Sequence, residues 1–116
     1  MKIVQCWDDG VVDDVRLIEI LRKFGAKASF NLNFGSHQEK RYLSWKYQDR
    51  KEVWKLALPE LREVYAGFLV ANHTLTHAWP TRVSESEMRR DIFAGREALE
   101  QHFGYPITGF AYPFGD

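Results

Sequence analysis

Apolar positions along the chain follow two alternating periods, and the switches between them mark the elements. Ile3, Val4, Cys6 and Trp7 lie in a short β-prone run that Asp8-Asp9-Gly10 ends with turn chemistry, so Lys2 to Trp7 is predicted as a strand entering a loop. From Asp13 or Asp14, each able to cap, Val15, Leu17, Ile18, Leu21 and Phe24 recur at helical spacing until Gly25 supplies a C-cap. Ala28, Phe30 and Leu32 then alternate with Lys27, Ser29 and Asn31, the period of a second strand that breaks at Asn33 to Gly35. Ser36 to Tyr65 mixes charge with Tyr42, Trp45, Tyr47 and Trp54, and reads as a surface excursion followed by a helix around Pro59 to Tyr65. Phe68 to Ala71 is a third strand. Ser84-Glu85-Ser86-Glu87 has the spacing of a capping box, and Met88, Ile92, Leu99 and Phe103 continue on one helical face to Gly104. Ile107 to Tyr112 is a fourth strand, closed by Pro113-Phe114-Gly115-Asp116.

Strands alternating with helices predict an α/β fold of parallel βα units, and no internal repeat or low-complexity segment competes with that reading. In such folds the chemistry collects at the carboxyl ends of the strands. Here the first strand ends in two adjacent acids, the third in His73 and His77, and the fourth in an aromatic Pro-Phe-Gly loop.

Composition narrows the partners. Sixteen basic residues balance sixteen acidic ones, so no concentrated positive field favours nucleic acid or an anionic membrane surface. With 116 residues, 45% of them hydrophobic, the chain suits one domain with a core. The single Cys6 has no internal disulfide partner and is expected as a small buried hydrophobe. No stretch reaches the length of a membrane-spanning helix, and the opening residues lack a signal-peptide pattern; a cytoplasmic protein is the expectation.

Each strand-end group has two readings. Asp-Asp-Gly is a common turn and cap as well as a candidate catalytic pair. A His-x-x-x-His pair arises by chance, but four residues on a helical turn also put both imidazoles on one side, near enough to share an ion. Catalytic zinc takes three protein ligands and keeps one position open, so two histidines call for a third ligand such as a carboxylate. Asp8 and Asp9 supply candidates, one to bind the ion and the other to accept a proton from water.

These residues resemble the polysaccharide deacetylases of the NodB homology type, carbohydrate esterase family 4. Trp7-Asp8-Asp9-Gly10 is similar to the family's aromatic-Asp-Asp-Gly motif, and His73-Thr74-Leu75-Thr76-His77 meets its His-Ser/Thr-x-x-His motif in full. Ala28-Ser29-Phe30-Asn31-Leu32-Asn33 is similar to the family's second strand. The resemblance runs from residue 1 to residue 116 and implies a distorted (β/α) barrel, of which this chain is expected to be the N-terminal portion of one domain, truncated at its C-terminus. It implies a metal-dependent hydrolase that removes N-acetyl or related acyl groups from a carbohydrate. Asp8 would be the general base, and Asp9, His73 and His77 the ligands of one divalent ion, most often Zn²⁺, with Co²⁺, Mn²⁺ or Ni²⁺ as substitutes. Phe114 would offer its backbone N–H to the oxyanion.

The third family motif, Arg-x-Pro-aromatic-Gly, is kept only in part: Ala111 stands where the resemblance implies an arginine that holds the base. The family's later histidine, its general acid, has no counterpart before Asp116, and His37 and His102 are read as surface histidines. Trp7, Trp79 and Tyr112 adjoin the motifs and are candidates for stacking on sugar rings, with packing against the sheet as the competing use; Trp45 and Trp54, farther away, are weaker ones. Two other classes stay open: a degenerate member that binds carbohydrate or metal without turnover, and a different metal-dependent hydrolase, such as a phosphoesterase, on a βα scaffold.

Overall fold

Three short parallel strands, in the order β1 (Cys6–Asp8), β2 (Ser29–Leu32), β5 (Leu69–Asn72), form the sheet that carries the motifs in the computed structural model, which describes residues 1–115. Asp116, the last residue of the expected Pro-Phe-Gly loop, lies outside the described residues. The register sets Asp8 beside Asn31, and Asn31 beside Ala71, so the carboxyl ends of the strands coincide. Helix α1 (Asp13–Lys23) links β1 to β2, and α3 (Glu85–Phe103) follows β5. Between them Ile18, Phe30, Leu32, Leu61, Tyr65, Val70, Leu99 and Ile107 form the core.

Several elements differ from the sequence reading for identifiable reasons. β1 starts only at Cys6, because Ser29 is the first β2 residue available to pair with it. Cys6 itself is exposed, since β1 is an edge strand with β2 as its sole ladder neighbour among the described residues. Neither Asp13 nor Asp14 caps α1: Val12 occupies the cap without a side-chain bond, and Asp14 is turned into the core. β2 is buried on both faces at Phe30, Asn31 and Leu32, as expected of a strand with parallel neighbours on each side. α3 begins at the predicted capping box, with Ser84 accepting from the Glu87 N–H, and ends at left-handed Gly104.

The largest departure lies in the excursion, which contains an antiparallel hairpin of β3 (Tyr42–Tyr47) and β4 (Lys51–Lys55). The helix expected around Pro59 is reduced to one turn, α2 (Leu61–Val64), behind a 3₁₀ turn at Leu58–Glu60. β4 also bonds the chain after β1: the Leu56 N–H donates to Gly10 O at 3.0 Å and the Val12 N–H to Trp54 O at 2.8 Å. This closure buries His37, whose Nδ1 lies 2.8 Å from Leu56 O, so His37 is an interior residue rather than a surface one. His102 is half-buried against Phe34 and Phe103. The fourth strand shrinks to a single bridge, Asn72 to Phe110, between Pro106 and Pro113, neither of which has an N–H to extend a ladder. No described helix is long and apolar enough to cross a membrane.

Burial sets up a testable pH dependence. Asp14, which accepts from the Tyr65 hydroxyl at 2.6 Å, is pushed up to about 6 by desolvation, whereas desolvation pushes His37 down to about 4. Asp14 favours folding while protonated and loses that contribution as pH rises from about 4 to 6. His37 favours folding while neutral and loses its contribution as pH falls from 6.5 to about 4. Each slope is worth about 3 kcal/mol by the two-unit displacement and they oppose each other. Asp14→Asn is therefore expected to uncover a stability loss of about 3 kcal/mol between pH 6.5 and 4, read as urea midpoints across that range. A flat profile in the variant contradicts the burial argument for His37.

Candidate metal centre

Two loops at the carboxyl ends of β1 and β5 build the site. At the first, the Asp9 N–H donates to Asn31 O at 3.0 Å while Asp9 takes a left-handed conformation, φ 79°. Asp8 accepts from Asn31 Nδ2 at 2.7 Å, so an amide on β2 orients it. Asp9 Oδ1 accepts from Asn33 Nδ2 at 3.3 Å.

The His-x-x-x-His segment is a loop, contrary to the helical turn that its spacing suggested. The His73 N–H still continues the sheet, donating to Leu32 O at 3.0 Å, but Thr74 and His77 are both left-handed, at φ 65° and 61°. Those two reversals bring the imidazoles together by a tight fold rather than by helical stacking, with ring centroids 4.9 Å apart. Thr74 Oγ1 accepts from the His77 N–H, Asp91 holds Thr76 through backbone and hydroxyl, and the Leu75 N–H donates to Asp91 O. Leu75 is seated between Gly35, whose N–H it accepts at 2.8 Å, and Gly95 of α3. The loop is thus fixed from both sides before any ligand arrives.

One ligand atom each from Asp9, His73 and His77 lies within 4.8 Å of the other two. His77 Nε2 is 3.3 Å from Asp9 Oδ1, close to the roughly 3.4 Å kept by two ligands about 2.1 Å from one tetrahedral ion. His73 Nδ1 lies 2.9 Å from Ala111 O, an acceptor only, so Nδ1 carries the proton and Nε2 keeps its lone pair. That bond is the outer support a metal-ligating histidine ordinarily has, and the donor set fits a divalent cation. Burial pushes His77 below the ordinary imidazole range, which keeps a lone pair available at neutral pH. The Ala111 position thus contributes through its carbonyl, whatever its side chain.

Beside these three residues is a cavity of about 380 Å³ whose walls include Asp9, Tyr42, Trp45, Lys55, His77 and Phe114. Phe114 is left-handed, φ 62°, and its ring meets His77 edge-on and stacks on Trp79, which in turn lies under the Arg82 guanidinium. Trp7, Trp79 and Tyr112 are outside this lining; Tyr112 faces a separate groove with Met88 and Phe93. Trp45 is inside it. Lys55, which the sequence reading did not single out, is only 2% exposed, and burial pushes its ammonium down to about 8. Its signal was a lysine inside an apolar, aromatic run, Val53-Trp54-Lys55-Leu56, and it becomes legible only once the hairpin is recognised.

A sequence model of the polysaccharide deacetylase family matches residues 1–116. The chain belongs to that family. Among curated proteins none matches it. The fold agrees with solved structures of deacetylases at low identity. The Streptococcus pyogenes deacetylase PplD, solved with acetate, matches at 20% identity and a TM-score of 0.73 over 95% of this chain and 45% of its own. A polysaccharide deacetylase from Bacillus cereus matches at 23% identity and the same TM-score over 98% of this chain and 34% of its own. IcaB from Ammonifex degensii matches at 21% and 0.71 over 97% and 50%. The polysaccharide deacetylase chain described here therefore spans between a third and a half of the length of these structures.

Proposed function

We propose that Asp9, His73 and His77 hold one divalent cation, Zn²⁺ ahead of Co²⁺, Mn²⁺ or Ni²⁺, and that the protein removes N-acetyl or related acyl groups from a carbohydrate. The observation that carries the reading is the convergence of three ligand atoms from two strand ends, with His73 held in the ligating tautomer by Ala111 O. A bound divalent ion supplies Lewis acidity toward an amide carbonyl and an attacking water. Asp8, exposed to solvent and oriented by Asn31, takes the proton from that water. Asn31 does part of the orienting that an arginine at position 111 would do. The Phe114 N–H is assigned to the oxyanion, and Tyr42 and Trp45 offer aromatic faces to a sugar ring in the cavity. Residues 1–116 are on this reading one portion of a single deacetylase domain.

A metal titration tests it. The purified chain is expected to take up one Zn²⁺ per molecule, and Asp9→Ala and His77→Ala are each expected to abolish that uptake, measured by calorimetry and metal analysis. Uptake that persists in both variants contradicts the assignment. The competing reading, binding without turnover, is favoured by Ala111. Release of acetate from an acetylated sugar oligomer, abolished by a chelator and restored by Zn²⁺, decides between the two.

A further inference from the structure

We infer that Lys55 is a positioning residue of the metal centre, acting through Asp9 and Asn33; the inference rests on the cation-site reading proposed above. The Lys55 ammonium donates to the Asp9 backbone carbonyl, and donates again to Asn33 Oδ1 at 2.8 Å. An ammonium has no lone pair, so the oxygen of the Asn33 amide must face it. That leaves the Asn33 NH₂ pointing the other way, to Asp9 Oδ1 at 3.3 Å. The order of donors and acceptors is thus unambiguous. Lys55 fixes the amide, the amide fixes the carboxylate, and the direct bond to Asp9 O holds the left-handed backbone from which that carboxylate projects.

The placement is costly without such a role. Burying an ammonium is unfavourable unless its donors are satisfied, and a methionine of the same reach would fill the space without that penalty. β4 delivers the group by pairing with the chain after β1, through the Val11 to Lys55 bridge, so strand and side chain grip the same loop. Nζ also stands 4.0 Å from Asp9 Oδ1. Two effects of opposite sign follow for a cation at this site. As a nearby positive charge Lys55 repels it, so deleting the charge alone raises affinity. As the support of a ligand it favours binding, and loss of outer-shell support typically lowers metal affinity about 10- to 100-fold.

The experiment is a Zn²⁺ competition titration of the full chain, with the visible spectrum of bound Co²⁺ as a second readout that does not depend on turnover. Lys55→Met, shown to be folded by circular dichroism, is expected to bind Zn²⁺ 10- to 100-fold more weakly and to shift the Co²⁺ bands. Unchanged or tighter binding with the Co²⁺ bands unshifted overturns the inference, whereas shifted bands support it. Should Lys55→Met fail to fold, Asn33→Ala decides, because it cuts the same chain of bonds one link later and removes no charge. Weakened affinity there supports the inference and unchanged affinity overturns it. Wild-type chain that takes up no Zn²⁺ refutes the metal centre itself, whereas wild-type uptake with unaffected variants refutes only the role of Lys55.

Discussion

Gly95→Ala is expected to destabilise the chain by about 2 kcal/mol and to weaken metal uptake along with folding. Helix propensity alone predicts the reverse, since alanine is favoured over glycine inside a helix by about 1 kcal/mol. The deciding fact is where α3 passes the histidine loop. A Cβ at position 95 would sit 2.6 Å from the Thr74 carbonyl carbon and from Asn72 Oδ1, and 2.7 Å from Leu75 N. Two of those three are backbone atoms of the segment between the histidines, and they are held in place by Asp91 and Gly35. Overpacking of this kind costs about 1 to 3 kcal/mol, and more where backbone has to move. Urea denaturation measures the net effect, with Gly25→Ala as a control: its Cβ meets nothing within 4 Å, so only the left-handed backbone, φ 59°, is penalised, by about 1 kcal/mol. Greater stability for Gly95→Ala than for wild type would show that α3 is free to withdraw from the loop.

Asp8→Asn is expected to keep the ion and to lower deacetylation by about 10²- to 10⁴-fold, the usual worth of a general base. The substitution is isosteric, and the amide oxygen still accepts from Asn31, so neither fold nor ligand set is disturbed. Asp9→Ala provides the contrast, losing ion and turnover together. Acetate release and Zn²⁺ content, measured on the same preparations, separate the two aspartates. Equal loss of metal in both variants would mean that Asp8 is itself a ligand and that the division of labour between the acids is wrong.

Much of the candidate site was legible from residue order because strand ends are easy to locate. The turn at Asp8-Asp9-Gly10 and the capping box at Ser84 are both local, and local chemistry set them. The fold class followed from the switch of period between β2 and α1. What escaped depended on long-range closure. The hairpin has β-forming residues at Tyr42, Trp45 and Val53, but its turn is Gln48-Asp49-Arg50, without the asparagine or glycine that ordinarily announces one. Missing the hairpin hid Lys55 in a surface excursion and left His37 outside the core. The histidine spacing pointed to two imidazoles that the structure does bring together, but by a different geometry, since two left-handed residues accomplish over five positions what a helical turn does over the same length.

Left-handed backbone away from glycine occurs at Asp9, Thr74, His77 and Phe114 around the site, and at Gln48 and Asp49 in the hairpin turn. At the first four positions the side chain already has a second task, as a proposed ligand, as the acceptor for the His77 N–H, or as a ring against His77. None of them can be relaxed to glycine without removing that contact. The hairpin pair faces solvent, and the contact it makes, from Gln48 Nε2 to the Tyr47 hydroxyl at 3.5 Å, is long and exposed. Stabilising substitutions therefore have their free choices at the hairpin tip, where Gln48→Asn and Asp49→Gly relieve the backbone, while the loops around the proposed cation site have no equivalent latitude.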